Sequence, residues 1–353
     1  MLTHGGDIFG FARRYGAEPL DFSVNVNPFG MPPGAKAALE RAATRAGQYP
    51  DPLYRRLRQA IGAHEGVPMD QVVCGNGAAD LIWRVVLARK PRRALVTAPT
   101  FSEYESALRW AGCQVERHAL DPRRGFQLGE EVLEDIRPGT EMVFLCNPNN
   151  PVGQVVGKEL AEKILDRCQA RGALLVADEC FLDFLPDAGE LTLKGRLADG
   201  PGLLILKALT KLYAMAGLRL GYGLSSDRAL LEGIRGAGQC WPVSIAAEEA
   251  GIAALEDRAF TRKIVELLPK ERERMRGSMA GLGLEVFPSQ ANFLLFHTRI
   301  PGYGERLARQ GILVRDCGNY PGLGEGYYRV AILTTEKNDR LLAAMETIGR
   351  ELE

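Results

Sequence analysis

The feature that most constrains the fold of this chain is a repeated alternation of short apolar runs with amphipathic segments of helical length. The apolar runs are residues 71–74, 93–97, 142–146, 173–177, 203–206 and 220–224. Segments with helical periodicity follow several of them, at 78–88, 101–111 and 158–170. This alternation is typical of an α/β fold, in which a mostly parallel sheet is sandwiched by helices. Ligands of such sheets bind at the carboxyl ends of the strands, so candidate functional residues are expected just after each run.

The last third of the chain has a different pattern. A long helical stretch is predicted at 244–279, helices at 303–310 and from 336 onwards, and strands at 284–287, 292–297, 312–315 and 327–332. This pattern predicts a smaller α+β domain. We expect residues 1–40 to complete that small domain, 41–235 to form the large domain, and 236–353 to form the rest of the small one.

Composition excludes several classes of protein. The chain has 44 Lys plus Arg and 44 Asp plus Glu, and this balance gives no reason to expect a nucleic-acid partner. No apolar stretch is long enough to span a membrane, and the N-terminus shows no signal peptide. The seven cysteines are scattered and form no C-x-x-C pair, which argues against a disulfide framework or a metal cluster. We therefore predict a cytoplasmic protein without a nucleic-acid partner, a membrane anchor or a metal.

A candidate nucleophile follows the apolar run at 203–206. Lys211 is followed eight residues later by Arg219, and glycines stand at 217 and 221. A lysine amine becomes nucleophilic at neutral pH in a desolvated site near other cations. The planar fork of Arg219 suits a phosphate, and glycines permit close approach of the backbone. For an isolated lysine, a solvated loop position is the ordinary alternative.

Three other strand ends carry candidate polar groups. Asp178 directly follows a buried run, which is costly for a carboxylate unless a cation is near, although an isolated Asp there is more often a helix cap. Residues 76–78, Asn-Gly-Ala, open a helix whose free amides would bind a phosphate. Asn150 lies in an Asn/Pro/Gly-rich turn at 147–153, which by itself indicates only a turn.

Together these segments resemble those of fold-type I enzymes that use pyridoxal 5′-phosphate (PLP), the class I and II aminotransferases. The resemblance implies that Lys211 binds the cofactor covalently. It also implies that Asp178 pairs with the pyridinium nitrogen and that Arg219 and Thr210 hold the phosphate. Asn76, Gly77 and Ala78 would complete the phosphate site.

The same resemblance assigns three further cofactor contacts. Asn150 would donate to the phenolic oxygen, and Phe101 would stack on the pyridine ring. Tyr49 would reach the cofactor phosphate of a neighbouring subunit, which implies a homodimer with shared active sites. Two positions depart from the pattern. Ala208 stands where relatives carry a Ser or Thr on the phosphate, and Phe181 stands where many aminotransferases have a tyrosine.

Residues 4–7, 21–28 and 319–332 are similar to segments of the threonine-phosphate decarboxylases of cobalamin biosynthesis, with Asp7 in place of their asparagine. This similarity implies a phosphorylated amino-acid substrate, L-threonine O-3-phosphate. The product of its decarboxylation would be (R)-1-amino-2-propanol O-2-phosphate. The implied substrate contacts are His4, Gly5, Asn25 and Asn150.

Two arginines fit a substrate with two anionic groups. Arg315 and Arg329 are both predicted at strand ends of the small domain, where each could clamp an oxyanion with two hydrogen bonds. A surface salt bridge is the commoner role of an arginine, and the sequence does not assign either residue to the carboxylate or the phosphate.

Three other functions are alternatives. The first is a histidinol-phosphate aminotransferase, whose substrate is also a phosphorylated amine. The second is a PLP-binding module without catalytic activity, against which the intact set of Lys211, Asp178, Asn150 and Arg219 argues. A nicotinamide-dependent dehydrogenase is excluded because the chain has no G-x-G-x-x-G motif after a strand.

Overall fold

The structure, a computed structural model, describes residues 4–351 of the chain. The strands in chain order are β1 (Leu20–Asp21), β2 (Val72–Gly75), β3 (Arg93–Ala98), β4 (Gln114–Ala119), β5 (Met142–Cys146), β6 (Leu174–Asp178), β7 (Leu203–Ala208), β8 (Gly221–Leu224), β9 (Glu285–Val286), β10 (Phe293–His297), β11 (Ile312–Leu313), β12 (Arg315–Asp316) and β13 (Tyr327–Ala331). The helices are α1 (Ile8–Tyr15), α2 (Pro33–Ala42), α3 (Arg55–Glu65), α4 (Gly77–Arg89), α5 (Ser102–Trp110), α6 (Val132–Asp135), α7 (Lys158–Ala170), α8 (Ala188–Leu191), α9 (Leu209–Leu212), α10 (Arg228–Gly236), α11 (Ile245–Glu256), α12 (Arg262–Gly281), α13 (Tyr303–Arg309) and α14 (Thr335–Arg350).

A seven-stranded sheet has the order β2-β8-β7-β6-β5-β3-β4. Its strands run parallel except for β8, which is antiparallel to both β7 and β2. A four-stranded antiparallel sheet has the order β12-β13-β10-β9, and β1 pairs with β11 in a short parallel ribbon. The predicted fold class, a mostly parallel α/β sheet with helices plus a smaller α+β unit, is confirmed.

The central strands form because both of their faces are covered. In β6, Leu174 and Val176 belong to the core on one side of the sheet, and Leu175 and Ala177 belong to the core on the other. Side chains of a strand alternate between its faces, so a strand buried on both sides reads as a continuous apolar run. Helices α4, α5 and α10 contribute to the first core, and α3, α7 and α11 contribute to the second.

The structure corrects two sequence-based predictions. The single helix predicted at 244–279 is two helices, α11 and α12, because the Asp257 side chain accepts a hydrogen bond from the Phe260 amide and closes a turn between them. The strand predicted at 312–315 is two short strands in different sheets, since β11 pairs with β1 and β12 pairs with β13. The domain limits at residues 40 and 235 stay a prediction.

The register of the large sheet brings the predicted functional segments together. Cys146 at the end of β5 pairs with Asp178 at the end of β6, and Asp178 in turn pairs with Leu206 of β7. Lys211 follows β7 directly, in α9. The N-terminal segment reaches the same place, because the Asn27 amide donates to the Lys211 carbonyl over 3.0 Å. Between residues 4 and 351, no helix has the length and apolar character needed to cross a bilayer.

Candidate active site

A cavity of about 420 Å³ opens at the carboxyl ends of β5, β6 and β7. This volume lies in the range of small-molecule sites. Side chains from both sheets and from the N-terminal segment line it. The predicted site residues that it brings together are His4, Gly5, Asn25, Ala78, Phe101, Asn150, Asp178, Thr210, Lys211, Arg219, Arg315 and Arg329. Phe181 and Ala208, the two departures from the family pattern, line it as well.

Lys211 has the electrostatic surroundings that a nucleophilic amine requires. Burial, together with the nearby guanidinium groups of Arg329 and Arg219, lowers the pKa of Lys211 to about 8. Both effects disfavour the ammonium form. At physiological pH, Lys211 is therefore a neutral amine in a larger fraction of the molecules than an exposed lysine would be. The neutral amine is the form that attacks a carbonyl carbon.

Asp178 is a buried carboxylate held in a fixed orientation. Its Oδ2 accepts a hydrogen bond from the Tyr104 hydroxyl over 2.5 Å, and its Oδ1 accepts one from the Cys180 amide over 3.0 Å. Asp178 is only 6% exposed. A desolvated carboxylate with two neutral donors still favours a cationic partner, so the position suits a protonated ring nitrogen.

The start of α4 and Arg219 form a cradle suited to a phosphate. Gly77 has a φ of +78°, and a Cβ placed on it would lie 2.6 Å from Nη2 of Arg219. A Cβ on Gly221 would lie 2.4 Å from the Ala78 amide nitrogen. Arg219 itself has a φ of +60°, a left-handed conformation that costs about 1 kcal/mol or more in a non-glycine residue. The two glycines thus allow the guanidinium and the helix amides to converge.

Arg315 and Arg329 are both buried at the other side of the cavity. Arg329 donates to the Asn150 side-chain oxygen and, over 2.9 Å, to the Ser23 carbonyl. Its Nε is buried and has no hydrogen-bond acceptor among the described residues. Arg315 donates to Asn319 over 2.9 Å and lies over the Tyr320 ring. A buried guanidinium with a donor to spare, as in Arg329, is suited to an anionic ligand.

Three predicted site residues lie outside the cavity lining. Gly77 contributes to the cradle through its backbone, as described above. Asn76 stands at the N-cap position of α4, where its amide donates to the Asp80 side chain, but its own side chain donates to the Pro242 carbonyl and makes no cap hydrogen bond. Tyr49 is 79% exposed, and its ring packs 4.5 Å from that of Trp241, centroid to centroid.

Several lining residues were missed by the sequence analysis, among them Glu103, Tyr104, Cys146, Cys180 and Tyr320. Tyr104 could have been found, because it lies three residues after Phe101 and residues three apart share a helix face. Nothing in the sequence indicates that its hydroxyl would meet Asp178, since that contact depends on how α5 packs against the end of β6.

This set of groups fits PLP on three counts. The cavity has a buried amine of lowered pKa, a fixed carboxylate for the ring nitrogen and a glycine-lined cradle with an arginine for the phosphate. Lys211, Asp178 and Arg219 would therefore hold the cofactor.

Comparison with known proteins supports the same family over nearly the whole chain. The model of the aminotransferase class I and II family matches residues 17–345. A threonine-phosphate decarboxylase from Salmonella typhimurium is 40% identical over 352 residues, which cover 98% of this chain and 96% of that protein. A histidinol-phosphate aminotransferase from Methanococcus maripaludis is 29% identical, with 96% of this chain and 92% of that protein covered. The crystal structure of the histidinol-phosphate aminotransferase from Clostridium acetobutylicum superposes with a TM-score of 0.87 at 29% identity, over 94% of this chain and 99% of that one.

The lowered pKa of Lys211 leads to a prediction about its reactivity. In the cofactor-free protein, pulse acetylation read by peptide mass spectrometry should label Lys211 with a half-maximal rate near pH 8, since its pKa is lowered to about 8. Lys207 is the control. Although burial opposes its charge, Asp183 and Glu65 raise its pKa, and it should stay unlabelled over this range. Labelling of Lys211 only above about pH 10, as for an ordinary lysine, would contradict the prediction.

Proposed function

The chain belongs to the aminotransferase class I and II family and is a fold-type I enzyme that uses PLP, and from this premise we propose that it decarboxylates L-threonine O-3-phosphate to (R)-1-amino-2-propanol O-2-phosphate. The observation that carries the proposal is that Lys211 shares one cavity with two buried arginines, Arg315 and Arg329, in addition to the phosphate cradle at Arg219. The 40% identity with the Salmonella decarboxylase supports it further.

The number of arginines that line the cavity matches the number of anions to be bound. The cofactor phosphate would take Arg219 and the amides at the start of α4. The substrate brings a carboxylate and a phosphate, and Arg315 and Arg329 remain for these two groups.

When bound, PLP supplies an electron sink that stabilises negative charge on the Cα of an amino-acid substrate. Asp178 would keep the proton on the ring nitrogen in place, because its carboxylate is fixed by Tyr104 and the Cys180 amide. The two arginines would bind the substrate anions and so fix the orientation of the bonds around Cα. Orientation decides which of these bonds breaks.

Lys211 is suited to complete the reaction. When the Cα–carboxylate bond breaks and CO₂ leaves, the electron pair stays with the substrate, and a proton must return to Cα. The Lys211 amine, with a pKa lowered to about 8, can hold this proton and release it at neutral pH. Its burial beside the cavity keeps it at the reacting centre.

A histidinol-phosphate aminotransferase is the second candidate, supported by relatives of that name at 29% identity. Such an enzyme breaks the Cα–H bond and passes the amino group to a keto acid. Its substrate has a phosphate but no carboxylate, so only one of Arg315 and Arg329 would find an anion on it. The keto acid that accepts the amino group also carries a carboxylate, so the two arginines fit either reaction, and the higher identity with the Salmonella decarboxylase, 40% against 29%, favours decarboxylation.

We also propose that the enzyme is a homodimer with shared active sites. Tyr49 and Trp241 form an exposed aromatic pair, at 79% and 41% exposure, outside the cavity of their own chain. Aromatic residues are enriched in the buried centres of protein–protein interfaces. An aromatic pair that is exposed in the single chain is therefore a candidate contact with a partner subunit. In the dimer, Tyr49 would reach the cofactor phosphate of the partner subunit. We propose further that the enzyme is cytoplasmic and acts in cobalamin biosynthesis.

The test of the function is CO₂ release from L-threonine O-3-phosphate by the PLP-loaded protein, with no keto acid added. We expect catalytic turnover that is lost in Lys211→Ala, because the variant has no amine to bind the cofactor or return the proton. Histidinol phosphate with a keto acid is the comparison substrate. Turnover of histidinol phosphate without CO₂ release from phosphothreonine would overturn the proposal in favour of the aminotransferase.

The shared site can be tested by mixing two impaired variants. When PLP is limiting, Lys211→Ala homodimers should be inactive and Tyr49→Ala homodimers only weakly active. After dissociation and random reassociation of equal amounts, about half of the dimers are mixed, and each mixed dimer has one site with both natural residues. About one site in four is then complete, so activity should return to about a quarter of the natural level. A mixture no more active than the average of its two components would contradict shared sites.

A further inference from the structure

The helix amides that would bind the cofactor phosphate lie next to a carboxylate. Asp80, in the first turn of α4, accepts a hydrogen bond from the Asn76 amide over 2.9 Å. The amides of Gly77 and Ala78 follow directly and belong to the phosphate cradle described above. The carboxylate satisfies a free amide at the start of the helix and so holds it in place. It also brings a negative charge close to the position of a bound phosphate, which it would repel.

Arg84 pairs with this carboxylate from one turn further along α4, where residues four apart face each other. Its Nε lies 2.8 Å from both side-chain oxygens of Asp80. The Arg84 side chain is only 3% exposed, whereas that of Asp80 is 22% exposed. A pair buried on one side is screened less by water and salt than a surface pair. The charge of Arg84 therefore compensates that of Asp80 at close range.

The segment that follows α10 holds the Arg84 guanidinium from its other side. Nη2 of Arg84 donates to the Gln239 carbonyl over 3.2 Å. A Cβ on Gly238 would lie 2.3 Å from Cζ of Arg84, so the backbone there lies directly on the guanidinium. The same segment binds the start of α4, because the Asn76 side chain donates to the Pro242 carbonyl over 3.1 Å. Arg84 is therefore enclosed between α4 and this segment, which fixes it against the carboxylate.

We propose that Arg84 is a positioning residue for the cofactor phosphate, which neutralises Asp80 so that this carboxylate anchors the start of α4 without weakening phosphate binding. The inference rests on PLP as the cofactor of the proposed function, and it does not depend on which bond of the substrate breaks. Without Arg84, the charge of Asp80 would act on the phosphate. A cofactor analogue without a phosphate would be unaffected, because it carries no negative charge at the cradle.

The experiment titrates the full-length protein, freed of cofactor, with PLP and with pyridoxal, which lacks the phosphate, and follows the ligand absorbance. Arg84→Met keeps the length of the side chain and removes its charge. It should raise the Kd for PLP roughly tenfold, the size expected for one uncompensated charge close to a phosphate. The Kd for pyridoxal should stay the same. Arg84→Lys, which keeps the charge, should bind PLP nearly as tightly as the natural protein.

The double variant Asp80→Asn/Arg84→Met separates the effect of charge from that of structural support. Asparagine keeps a side-chain oxygen that can accept from the Asn76 amide. Removal of both charges should therefore bring the Kd for PLP back close to the natural value. A double variant that binds PLP no better than Arg84→Met would overturn the inference. Equal losses of affinity for PLP and pyridoxal in Arg84→Met would overturn it too, because they would mean that the arginine only supports the fold.

Arg109→Met is the matched control, since Arg109 and Glu105 form an ion pair with the same spacing on α5, outside the cavity lining. It should leave both Kd values unchanged, and a loss of PLP affinity equal to that of Arg84→Met would overturn the inference. If the natural protein binds neither PLP nor pyridoxal, the cofactor assignment fails and the inference fails with it. Because binding is measured without substrate, failure of this inference and failure of the proposed decarboxylation can be told apart.

Discussion

Four cationic side chains line one cavity, and most features of the structure serve to accommodate them. The four are Lys211, Arg219, Arg315 and Arg329. Arg219 and Arg329 lie close enough to Lys211 to lower its pKa. Such an arrangement is unfavourable by itself, because the four charges repel one another and the buried ones, Arg315 and Arg329, also lose water. Anions must supply the compensation. A cofactor phosphate and a substrate with two anionic groups supply it, and the same repulsion keeps the lysine amine reactive.

The fold fixes these groups by bringing distant segments to the ends of three neighbouring strands. Asp178 comes from β6 and Lys211 from α9 after β7, Arg219 comes from the turn before β8, and Arg315 and Arg329 come from the smaller sheet. The N-terminal segment joins the two parts, since Asn27 binds the Lys211 carbonyl while β1 pairs with β11. A change in the packing of the smaller sheet would therefore alter the position of the substrate anions relative to Lys211.

The parts that sequence reasoning could predict are those governed by local pattern. Strands buried on both faces, such as β5 and β6, have continuous apolar runs, whereas the edge strand β4 has a polar sequence and was missed. Lys211 and Arg219 stand out through their fixed spacing along one segment. The contact of Tyr104 with Asp178 and the pairing of Glu103 with His4 join residues 74 and 99 positions apart. Such contacts depend on how the helices pack, which cannot be predicted from a local sequence pattern.

The central claim is that the buried arginines orient the substrate so that the carboxylate bond breaks and the Cα–H bond does not. It is tested most directly by running the reaction in D₂O and analysing both the product and the unreacted L-threonine O-3-phosphate by mass spectrometry. We expect one deuterium at the former Cα of the product and none in the recovered substrate, because a solvent-derived proton replaces CO₂ only. Deuterium at Cα of the recovered substrate, with its carboxylate retained, would show that the Cα–H bond breaks and would contradict the claim.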